Sequence, residues 1–275
     1  MASCFGQEEI DMAFLYETHL HTSQASACGI SPGRDYVKRY QDLGFSGIMI
    51  TDHFYRGNCA LRRNLPWNKW VHQFCRGYED ALEEGDRIGM DVFFGWEETF
   101  NGDDYLVYGL DKKWLLQHPE VRSWTRKEQY DTVRSNGGCV IQAHPFRQRS
   151  YIHCIHLSAG CVDGVEAANG GNDDVSNDAL AWVYANKLKL PITAGTDSHS
   201  VDNVNEKNVM GVYLGKKLDS ISSFVEMVLN KSLGPIKIPR GRCDLRGNEN
   251  VILPVDIRDK KDRSTGRDLW EFLGI

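Results

Sequence analysis

Short apolar runs alternate with longer amphipathic segments along most of the chain. The apolar runs predict eight β-strands, at residues 12–19, 46–53, 91–98, 105–110, 138–144, 162–169, 190–199 and 208–214. Several of these runs are continuously apolar rather than alternating, which is typical of parallel strands that are buried on both faces. The pattern therefore favours a parallel sheet whose faces are covered by helices.

The segments between the predicted strands have apolar positions at helical spacing. They predict helices at residues 31–44, 67–85, 126–138, 177–189 and 219–231. In the first helix we expect Ser31 as the N-cap, Pro32 in the first turn and Gly44 as the stop. Strand followed by helix, repeated about seven times, predicts an α/β fold, either a (β/α) barrel or a doubly wound sheet.

The chain shows no internal division. No linker or low-complexity stretch interrupts its 275 residues, so we predict one domain over residues 1–275 with a core at about 12–235. The last segment, residues 236–275, is more polar and less periodic. It is predicted to be a peripheral C-terminal extension.

Composition and charge narrow the classes of function. Hydrophobic residues make up 41% and charged residues 25% of the chain, as in ordinary globular proteins. The net charge of −6 argues against a long nucleic-acid track. No apolar run reaches the length of a membrane span, the N-terminus does not resemble a signal peptide, and the eight cysteines form no CxxC pair. We therefore expect a cytoplasmic protein with free thiols and no membrane partner.

Residues that could bind a metal follow the predicted strands. In chain order they are His19 and His21, Asp52 and His53, Glu97 and Glu98, His144, and Asp197 and His199. Five of the nine histidines thus fall at C-terminal strand ends, the face on which barrel enzymes build their active sites. Imidazole and carboxylate ligands without thiolates suit zinc, manganese or iron, and the sequence does not rank these metals.

The motifs that contain these residues occur in a fixed order. HxH follows the first strand, TDH the second and HP a later one, GxE lies in the third, and TDSH comes near the end. This ordered set, spread over about residues 14–235, resembles the polymerase and histidinol phosphatase (PHP) superfamily. The resemblance implies a distorted (β/α)7 TIM-like barrel and a phosphoesterase that depends on two or three divalent ions of manganese, iron or zinc.

The resemblance also implies a set of ligands. One metal would be held by His19, His21, Glu97 and Asp197, a second by Glu97 and His144, and a third by His53 and His199. Glu97 is preferred to Glu98 because the family pattern places the acid two residues after a glycine, here Gly95. Glu98 then lies on the opposite face of the strand. A bridging glutamate spans two cations, which hold the hydroxide that attacks phosphorus.

The chain departs from the family pattern at two places. Ser26 and Ala27 stand where many members have an acidic residue or a histidine, so the third site is expected to be weak or completed by water or phosphate. Cys28 comes next and is either a ligand for a soft metal or a small buried thiol. The strand after GxE has no histidine for the second metal, and Asp104 is either a substitute ligand or an exposed hairpin aspartate.

Phosphate binding requires cationic side chains besides the metals. Arg147, just after the HP motif, and Arg56, just after TDH, are the candidates, with Arg149 a poorer one. An arginine fork can bind two phosphate oxygens at once. Asp52 or His199 is expected to supply the proton for the leaving alcohol.

Two further clusters have simpler interpretations. HCIH, with His153, Cys154 and His156, lacks the second ligand pair of a zinc site and is expected in a loop or short helix. EAANGGN, at 166–172, is expected to be a Gly-rich turn after a strand, although Asn169 could also contact a substrate.

Several functions are compatible with these patterns. The leading hypothesis is hydrolysis of a small phosphomonoester, of the nucleotide, bisphosphate, sugar phosphate or histidinol phosphate type. The alternative within the enzymes is a phosphodiesterase or exonuclease of the PHP type. Outside that class are a metal-binding regulatory module that does not catalyse, and an unrelated α/β enzyme whose histidines are structural.

Overall fold

The computed structural model describes residues 13–275. Cys4, the N-terminal stretch in which no signal peptide is expected, and the first residue of the first predicted strand lie outside the described residues. The strands are β1 (Phe14–Glu17), β2 (Gly47–Ile50), β3 (Asp91–Phe100), β4 (Asp103–Tyr108), β5 (Cys139–Gln142), β6 (Ile155–Leu157), β7 (Gly164–Asn169), β8 (Ile192–Gly195), β9 (Gly211–Leu214), β10 (Ile236–Lys237) and β11 (Val255–Ile257). The α-helices are α1 (Gly33–Asp42), α2 (Trp67–Phe74), α3 (Arg76–Ile88), α4 (Lys112–Gln117), α5 (Arg126–Ser135), α6 (Ser176–Leu188), α7 (Ile221–Leu229) and α8 (Leu269–Leu273).

Nine strands form one sheet in the order β10-β9-β1-β2-β3-β4-β5-β7-β8. The neighbours among β1, β2 and β3, and among β5, β7 and β8, are parallel. Leu20, just after β1, bridges to Ser198, just after the end strand β8, so that the sheet nearly closes. The predicted α/β fold with a TIM-like barrel is therefore confirmed.

The distortion of the barrel comes from two antiparallel insertions. β4 runs antiparallel to both β3 and β5, and β9 runs antiparallel to β1 and β10. β3 and β4 are joined by Asn101 and Gly102, whose φ angles are 58° and 93°. An Asn-Gly pair with two positive φ angles makes the tight turn of a β-hairpin, so no helix can follow β3.

The helix predictions are correct in place and differ in detail. Pro32, rather than Ser31, occupies the N-cap position of α1, and the Ser31 hydroxyl accepts a hydrogen bond from the Val201 N–H at 2.9 Å. Gly44 stops the helix as expected, with φ of 80°. The helix predicted at 67–85 is interrupted at Cys75, which separates α2 from α3.

Close packing of α1 on α3 shapes the region beside the barrel mouth. A Cβ atom added to Gly33 of α1 would lie 2.1 Å from the Gly77 carbonyl oxygen of α3. A Cβ atom added to Gly77 would lie 2.0 Å from the Thr22 hydroxyl and 2.9 Å from the Asp52 carboxylate. Glycine is required here because the backbone of α3 touches the loops that follow β1 and β2.

The C-terminal extension is packed into the molecule. β11 pairs in parallel with β6, at Val255 and Ile155 among others. The apolar face of α8 is buried in a cluster with residues of α6, among them Leu180 and Tyr184. These contacts are difficult to predict from the sequence of 236–275 because only one face of each short element is apolar and the segment as a whole is polar.

Two expectations from composition agree with the described residues. The seven cysteines in this part of the chain are free thiols. Among residues 13–275, no helix combines the length and the apolar character that a membrane span requires.

Candidate metal centre

Residues from five strand ends meet at one mouth of the barrel. His19 and His21 follow β1, His53 follows β2, Glu97 lies near the end of β3, His144 follows β5, and Asp197 and His199 follow β8. Three of them, His53, Asp197 and His199, line a cavity of about 720 Å³. The other four are fully or almost fully buried next to it. All seven residues predicted as ligands thus lie in one cluster.

Glu97 is at the centre of this cluster. Its Oε1 lies 3.2 Å from His19 Nε2 and 3.3 Å from His144 Nε2. Its Oε2 lies 2.6 Å from His53 Nδ1 and 3.5 Å from His21 Nε2. The two oxygens of one carboxylate therefore face different imidazoles, as bridging of two cations requires.

Asp197 lies on the other side of the two β1 histidines. Its Oδ1 is 3.0 Å from His21 Nε2 and 3.6 Å from His19 Nε2. The groups whose donor atoms all lie within 4.8 Å of one another are His19–His21–Glu97, His19–His144–Asp197, Glu97–Asp104–His144 and His21–His53–His199. Each group is compact enough to surround one ion.

Asp104 belongs to the cluster and is not an exposed hairpin residue. It lies in β4 and its carboxylate lines the cavity, with Oδ2 3.8 Å from His144 Nε2. The Thr99 hydroxyl donates a hydrogen bond to it. Burial, together with the charge of Glu97, raises the pKa of Asp104 to about 6. The antiparallel β4 therefore supplies the carboxylate that the sequence offers in place of a histidine.

Two residues of the cluster have a strained backbone. His144 and Asp197 have φ angles of 28° and 52°, in a region that side chains with a Cβ rarely adopt. Such strain costs about 1–3 kcal/mol per residue and is typical of functional sites. The fold holds these two side chains in place against a local cost in free energy.

Two carboxylates of the cluster, those of Glu97 and Asp197, have lowered pKa values. Burial alone would raise the pKa of Glu97, but the imidazoles of His19, His53 and His144 together hold that pKa well below its usual range. In the same way, His19, Arg147 and His21 together lower the pKa of Asp197 against the effect of burial. Burial would lower the pKa of His19, yet Glu166, Asp197 and Glu97 raise it well above its ordinary value. A proton on His19 thus compensates several buried negative charges, a role for which a divalent cation is also suited.

His21 has the opposite character. Burial and the neighbouring rings of His53 and His199, with centroids 4.2 and 4.4 Å away, lower the pKa of His21 well below its ordinary value. Neutral imidazole is the form that binds a metal.

Two buried atoms of the cluster have no hydrogen-bond partner. His53 Nδ1 and Glu97 Oε2 lie 2.6 Å apart, yet they are not aligned for a hydrogen bond with each other. Buried polar atoms without a partner are rare because each one costs free energy. Such atoms and the nitrogen and carboxylate donors around them fit divalent cations.

The buried carboxylate of Glu166, which was not predicted from the sequence, hydrogen-bonds to two residues of the cluster. Glu166 of β7 accepts a hydrogen bond from His19 Nδ1 at 2.9 Å, from the Asn169 side chain at 2.8 Å and from the His144 N–H at 3.2 Å. Gly195 leaves room for it, since a Cβ there would lie 2.8 Å from Glu166 Oε1. The feature of the sequence that could have indicated this role is the position of Glu166 as an acidic residue inside an otherwise apolar predicted strand.

Asp52 lies behind the cluster. Its carboxylate accepts hydrogen bonds from the Thr22 N–H and hydroxyl and from the Ser26 hydroxyl, at 2.6 to 2.7 Å. Burial raises its pKa to about 6. Ser26 in turn lies 3.1 Å from His21 Nδ1 and accepts the His53 N–H at 3.0 Å. Asp52 thus connects the loops that carry His21 and His53. Its role as a proton donor stays a prediction.

Arg147 is the cationic side chain nearest to the cluster. Its Nη2 donates to Asp197 Oδ2 at 2.7 Å and to the Asn169 side chain, and its Nε donates to the Asn172 side chain at 3.0 Å. The guanidinium lines the cavity. The predicted substrate-binding residue thus lies in the mouth, next to the proposed ligand Asp197.

The other two candidate arginines, Arg56 and Arg149, bind acceptor groups of the protein itself. Arg56 donates to Glu98 at 2.8 Å and to the carbonyls of Arg122 and Trp124 at 2.9 and 2.6 Å, although it also lines the cavity. Glu98 points away from the cluster, as strand alternation predicts. Arg149 pairs with Asp173 at the surface. A substrate contact by Arg56 stays a prediction, since its donors are directed at protein acceptors.

HCIH does not form a metal site and does not lie wholly in a loop or short helix. His156 is part of β6, where its Nδ1 hydrogen-bonds to Asp103. Among the described residues, the groups of potential ligands include neither His153 nor Cys154. EAANGGN does end a strand, because β7 stops at Asn169.

Comparison with solved structures identifies the fold. A two-domain protein from Bacteroides vulgatus ATCC 8482, containing a predicted PHP-like metal-dependent phosphoesterase, matches with a TM-score of 0.58 and 16% identity, over 82% of this chain and 65% of its own. PsfC from Pseudomonas syringae PB-5123 matches with a TM-score of 0.55 and 17% identity, over 84% of this chain and 93% of its own. This chain has the PHP-like fold.

The PHP-like fold agrees with the order of motifs in the sequence. The chain spans slightly less than two thirds of the two-domain protein, so the similarity concerns part of that molecule. No protein-family model matches the chain, and no curated protein matches it in sequence.

Proposed function

We propose that this protein is a metal-dependent phosphoesterase that hydrolyses a small phosphomonoester. The observation that carries the proposal is the convergence of five imidazoles and three carboxylates, those of Glu97, Asp104 and Asp197, beside a cavity that also contains Arg147. A carboxylate with a different imidazole on each oxygen suits two neighbouring cations. The PHP-like fold supports the same function.

The ligands divide naturally among the proposed ions. One ion would be held by His19, His21, Glu97 and Asp197, a second by Glu97, His144 and Asp104, and a third by His53 and His199. When bound, divalent ions supply an activated water and neutralise the negative charge that develops on a transferred phosphoryl group. Manganese, iron and zinc all accept these donors.

Arg147 would orient the phosphate. Its Nε and Nη2 are fixed by Asn172, Asn169 and Asp197, so the plane of the guanidinium is already set before a substrate enters. A preorganised guanidinium lowers the cost of ordering on binding. It would hold one phosphate oxygen at the side of the cavity formed by Gly171, where a larger residue would collide with Arg147.

When the third site holds no ion, His199 is better situated than Asp52 to give a proton to the leaving alcohol. His199 lines the cavity and its side chain is 28% exposed, whereas Asp52 is 2% exposed and bonded to Thr22 and Ser26. Its Nδ1 lies 2.8 Å from the Asp197 carbonyl oxygen, which fixes the ring. A group that transfers a proton must come within hydrogen-bond reach of the substrate oxygen.

The cavity favours a small substrate. Its volume of about 720 Å³ falls in the range of pockets that enclose metabolite-sized ligands. A net charge of −6 gives no attraction for a long nucleic acid. A phosphomonoester of the nucleotide, bisphosphate, sugar phosphate or histidinol phosphate type and a cytoplasmic location stay predictions.

Release of inorganic phosphate tests the proposal. Protein stripped of metal and reloaded with manganese, iron or zinc would be offered sugar phosphates, nucleotides, bisphosphates, histidinol phosphate and phosphodiesters. We expect rapid release from one class of monoester, abolished by His21→Ala and unaffected by His72→Ala, a change at an exposed helical histidine. Release from diesters alone would favour the phosphodiesterase. Metal bound without any hydrolysis would favour a regulatory module.

A further inference from the structure

The loop that follows β7, residues 169–172, fixes the orientation of Arg147. The Asn169 side-chain oxygen accepts a hydrogen bond from Arg147 Nη2 at 2.5 Å, and the Asn172 side-chain oxygen accepts one from Nε at 3.0 Å. Among the described residues, Nη1 of Arg147 has no acceptor, and the residue lines the cavity. Two asparagines of the loop thus hold one edge of the guanidinium and leave another donor for a ligand.

Two buried carboxylates determine which way the two amides point. The Asn169 side-chain nitrogen donates to Glu166 at 2.8 Å, and the Asn172 side-chain nitrogen donates to Asp178 at 2.7 Å. An ionised carboxylate only accepts hydrogen bonds, so it binds the nitrogen of each amide and leaves the oxygen for Arg147. The orientation of Arg147 therefore depends on Asp178, a residue of α6 that is 1% exposed.

Arg242, in the C-terminal extension, holds the same carboxylate and the same loop. Its Nε pairs with Asp178, and its Nη2 donates to the backbone carbonyls of Asn169 at 2.6 Å and Asn172 at 3.2 Å. Asp178 also accepts a hydrogen bond from the Asn169 N–H at 3.2 Å. The planar fork of an arginine can bind several acceptors at once in a fixed geometry. One guanidinium thus binds both the buried carboxylate and the two residues that hold Arg147.

The 169–172 loop is also tightly packed against the barrel mouth. A Cβ atom added to Gly171 would lie 2.8 Å from Arg147 Nη2 and 2.8 Å from Asp197 Oδ2. A Cβ atom added to Gly170 would lie 2.4 Å from the Thr196 carbonyl oxygen. Because the backbone of the loop touches both Arg147 and the segment after β8, a shift of the loop would be transmitted to the guanidinium.

We propose that Arg242 is a positioning residue for phosphate binding, which acts through the 169–172 loop to keep Arg147 oriented toward the cavity. A guanidinium that is held in place before the ligand enters loses less freedom on binding. This assigns the C-terminal extension a part in forming the site. The inference rests on the proposed function only in taking a phosphate group as the ligand, and it does not require that an ester be hydrolysed.

Calorimetric titration of inorganic phosphate into the full-length, zinc-loaded protein tests the inference. Arg242→Met removes the guanidinium and keeps an apolar stem, so we expect the phosphate affinity to fall by about tenfold, the effect of losing one charge-assisted hydrogen bond. Zinc content should stay at the wild-type level, because the contacts of Arg242 are with Asp178 and the loop. Arg242→Lys keeps the charge without the fork and should recover only part of the affinity.

Arg126→Met is the matched control. It removes a buried arginine that pairs with Asp262 of the extension and has no contact with the 169–172 loop. The phosphate affinity of the folded Arg126→Met protein should therefore equal that of the wild type.

A double-variant cycle separates positioning from general damage. In an Arg147→Met background the guanidinium that is to be positioned is absent, so the addition of Arg242→Met should change the phosphate affinity by less than about twofold. Circular dichroism checks that each variant is folded. If Arg242→Met does not fold, Asn172→Ala replaces it, and it should lower the phosphate affinity in the wild type and not in Arg147→Met.

The outcomes distinguish this inference from the proposed function. Unchanged phosphate affinity in folded Arg242→Met or its replacement, or an equal loss with and without Arg147, would overturn the inference. Failure of the zinc-loaded wild type to bind phosphate, or loss of zinc in Arg242→Met, would also overturn it. Phosphate binding that depends on Arg242, without hydrolysis of any ester, would reject only the phosphoesterase.

Discussion

Buried charged residues occur in two regions of this molecule, the contact of the C-terminal extension with the barrel and the barrel mouth, and they have different partners in the two regions. Where the C-terminal extension packs on the barrel, arginines and aspartates form ion pairs with one another. Arg126, whose side chain is 4% exposed, donates to Asp262 at 2.8 Å and to the Tyr105 hydroxyl at 3.0 Å. Arg242 and the buried Asp178 form a second pair. These charges are paired by the fold itself.

At the barrel mouth the carboxylates face mainly imidazoles instead of arginines. His19 Nε2 and His21 Nε2 lie 3.0 Å apart, and His53 Nδ1 and Glu97 Oε2 have no hydrogen-bond partner. Burial of charge is costly unless the charge is compensated. The comparison therefore separates a structural network, in which arginines and aspartates pair with each other, from a second network that we propose is completed by cations.

The largest expected effect comes from removing the central carboxylate of the mouth. Glu97→Gln keeps the shape of the side chain and removes the charge that faces four imidazoles, so hydrolysis should fall by at least about 100-fold. Phosphate release and metal content measure the effect. Glu120→Gln, at an exposed glutamate, is the control. Full activity in folded Glu97→Gln would contradict a metal centre there.

The complementary change in the extension should affect stability instead. Arg126→Met leaves Asp262 without its partner and should lower the free energy of unfolding by about 3–5 kcal/mol. Denaturant unfolding measures it, while activity per folded molecule should stay near the wild-type value. Loss of activity without loss of stability would show that the two networks are not independent.

A smaller effect is expected from the carboxylate beneath His19. Glu166→Gln should weaken metal binding by about 10- to 100-fold because the Nδ1 of His19 loses its charged acceptor. Glu166→Ala should weaken metal binding further. A higher metal affinity in Glu166→Gln than in Glu166→Ala would show that the side chain orients the His19 ring and does not merely maintain the fold. Metal titration gives the affinity. Unchanged affinity in both variants would exclude this role.

The smallest effect is expected at an exposed ion pair of the extension. A hydrogen bond from Arg263 lowers the pKa of Asp259 from 3.8 to about 2. The stabilisation from this pair is therefore present above pH 3.8 and is lost as the pH falls through about 2. Arg263→Ala should lower the melting temperature only slightly at pH 7, because solvent screens the pair. The difference from the wild type should shrink as the pH falls from 3.8 to about 2.

Much of the fold and of the cluster was predictable because the signals are local. Apolar runs marked the strands of the central sheet apart from the two-residue β10, and the residues just after these runs marked the mouth of the barrel. The missed parts depend on distant contacts. β6 and β11 are short, and each is a strand only because it pairs with the other, about 100 residues away.

Some residues of the site could not be predicted from the sequence for the same reason, since their positions depend on distant contacts. Asp104 is directed into the cluster because the Asn101–Gly102 turn folds β4 back on β3. Glu166 contacts His19 from β7, a strand that the sequence marked as apolar. Arg56 was a reasonable candidate by position, and its engagement with Glu98 became visible only when the two loops were brought together.

Metal stoichiometry tests the central claim most directly. Protein stripped of metal, reloaded with zinc and desalted would be measured by mass spectrometry of its metal content, beside Glu97→Gln and Arg126→Met. We expect about two to three equivalents in the wild type and in Arg126→Met, and at most about one in Glu97→Gln. Less than about half an equivalent in folded wild type would show that the buried charges of the mouth are compensated without cations, contrary to the present account.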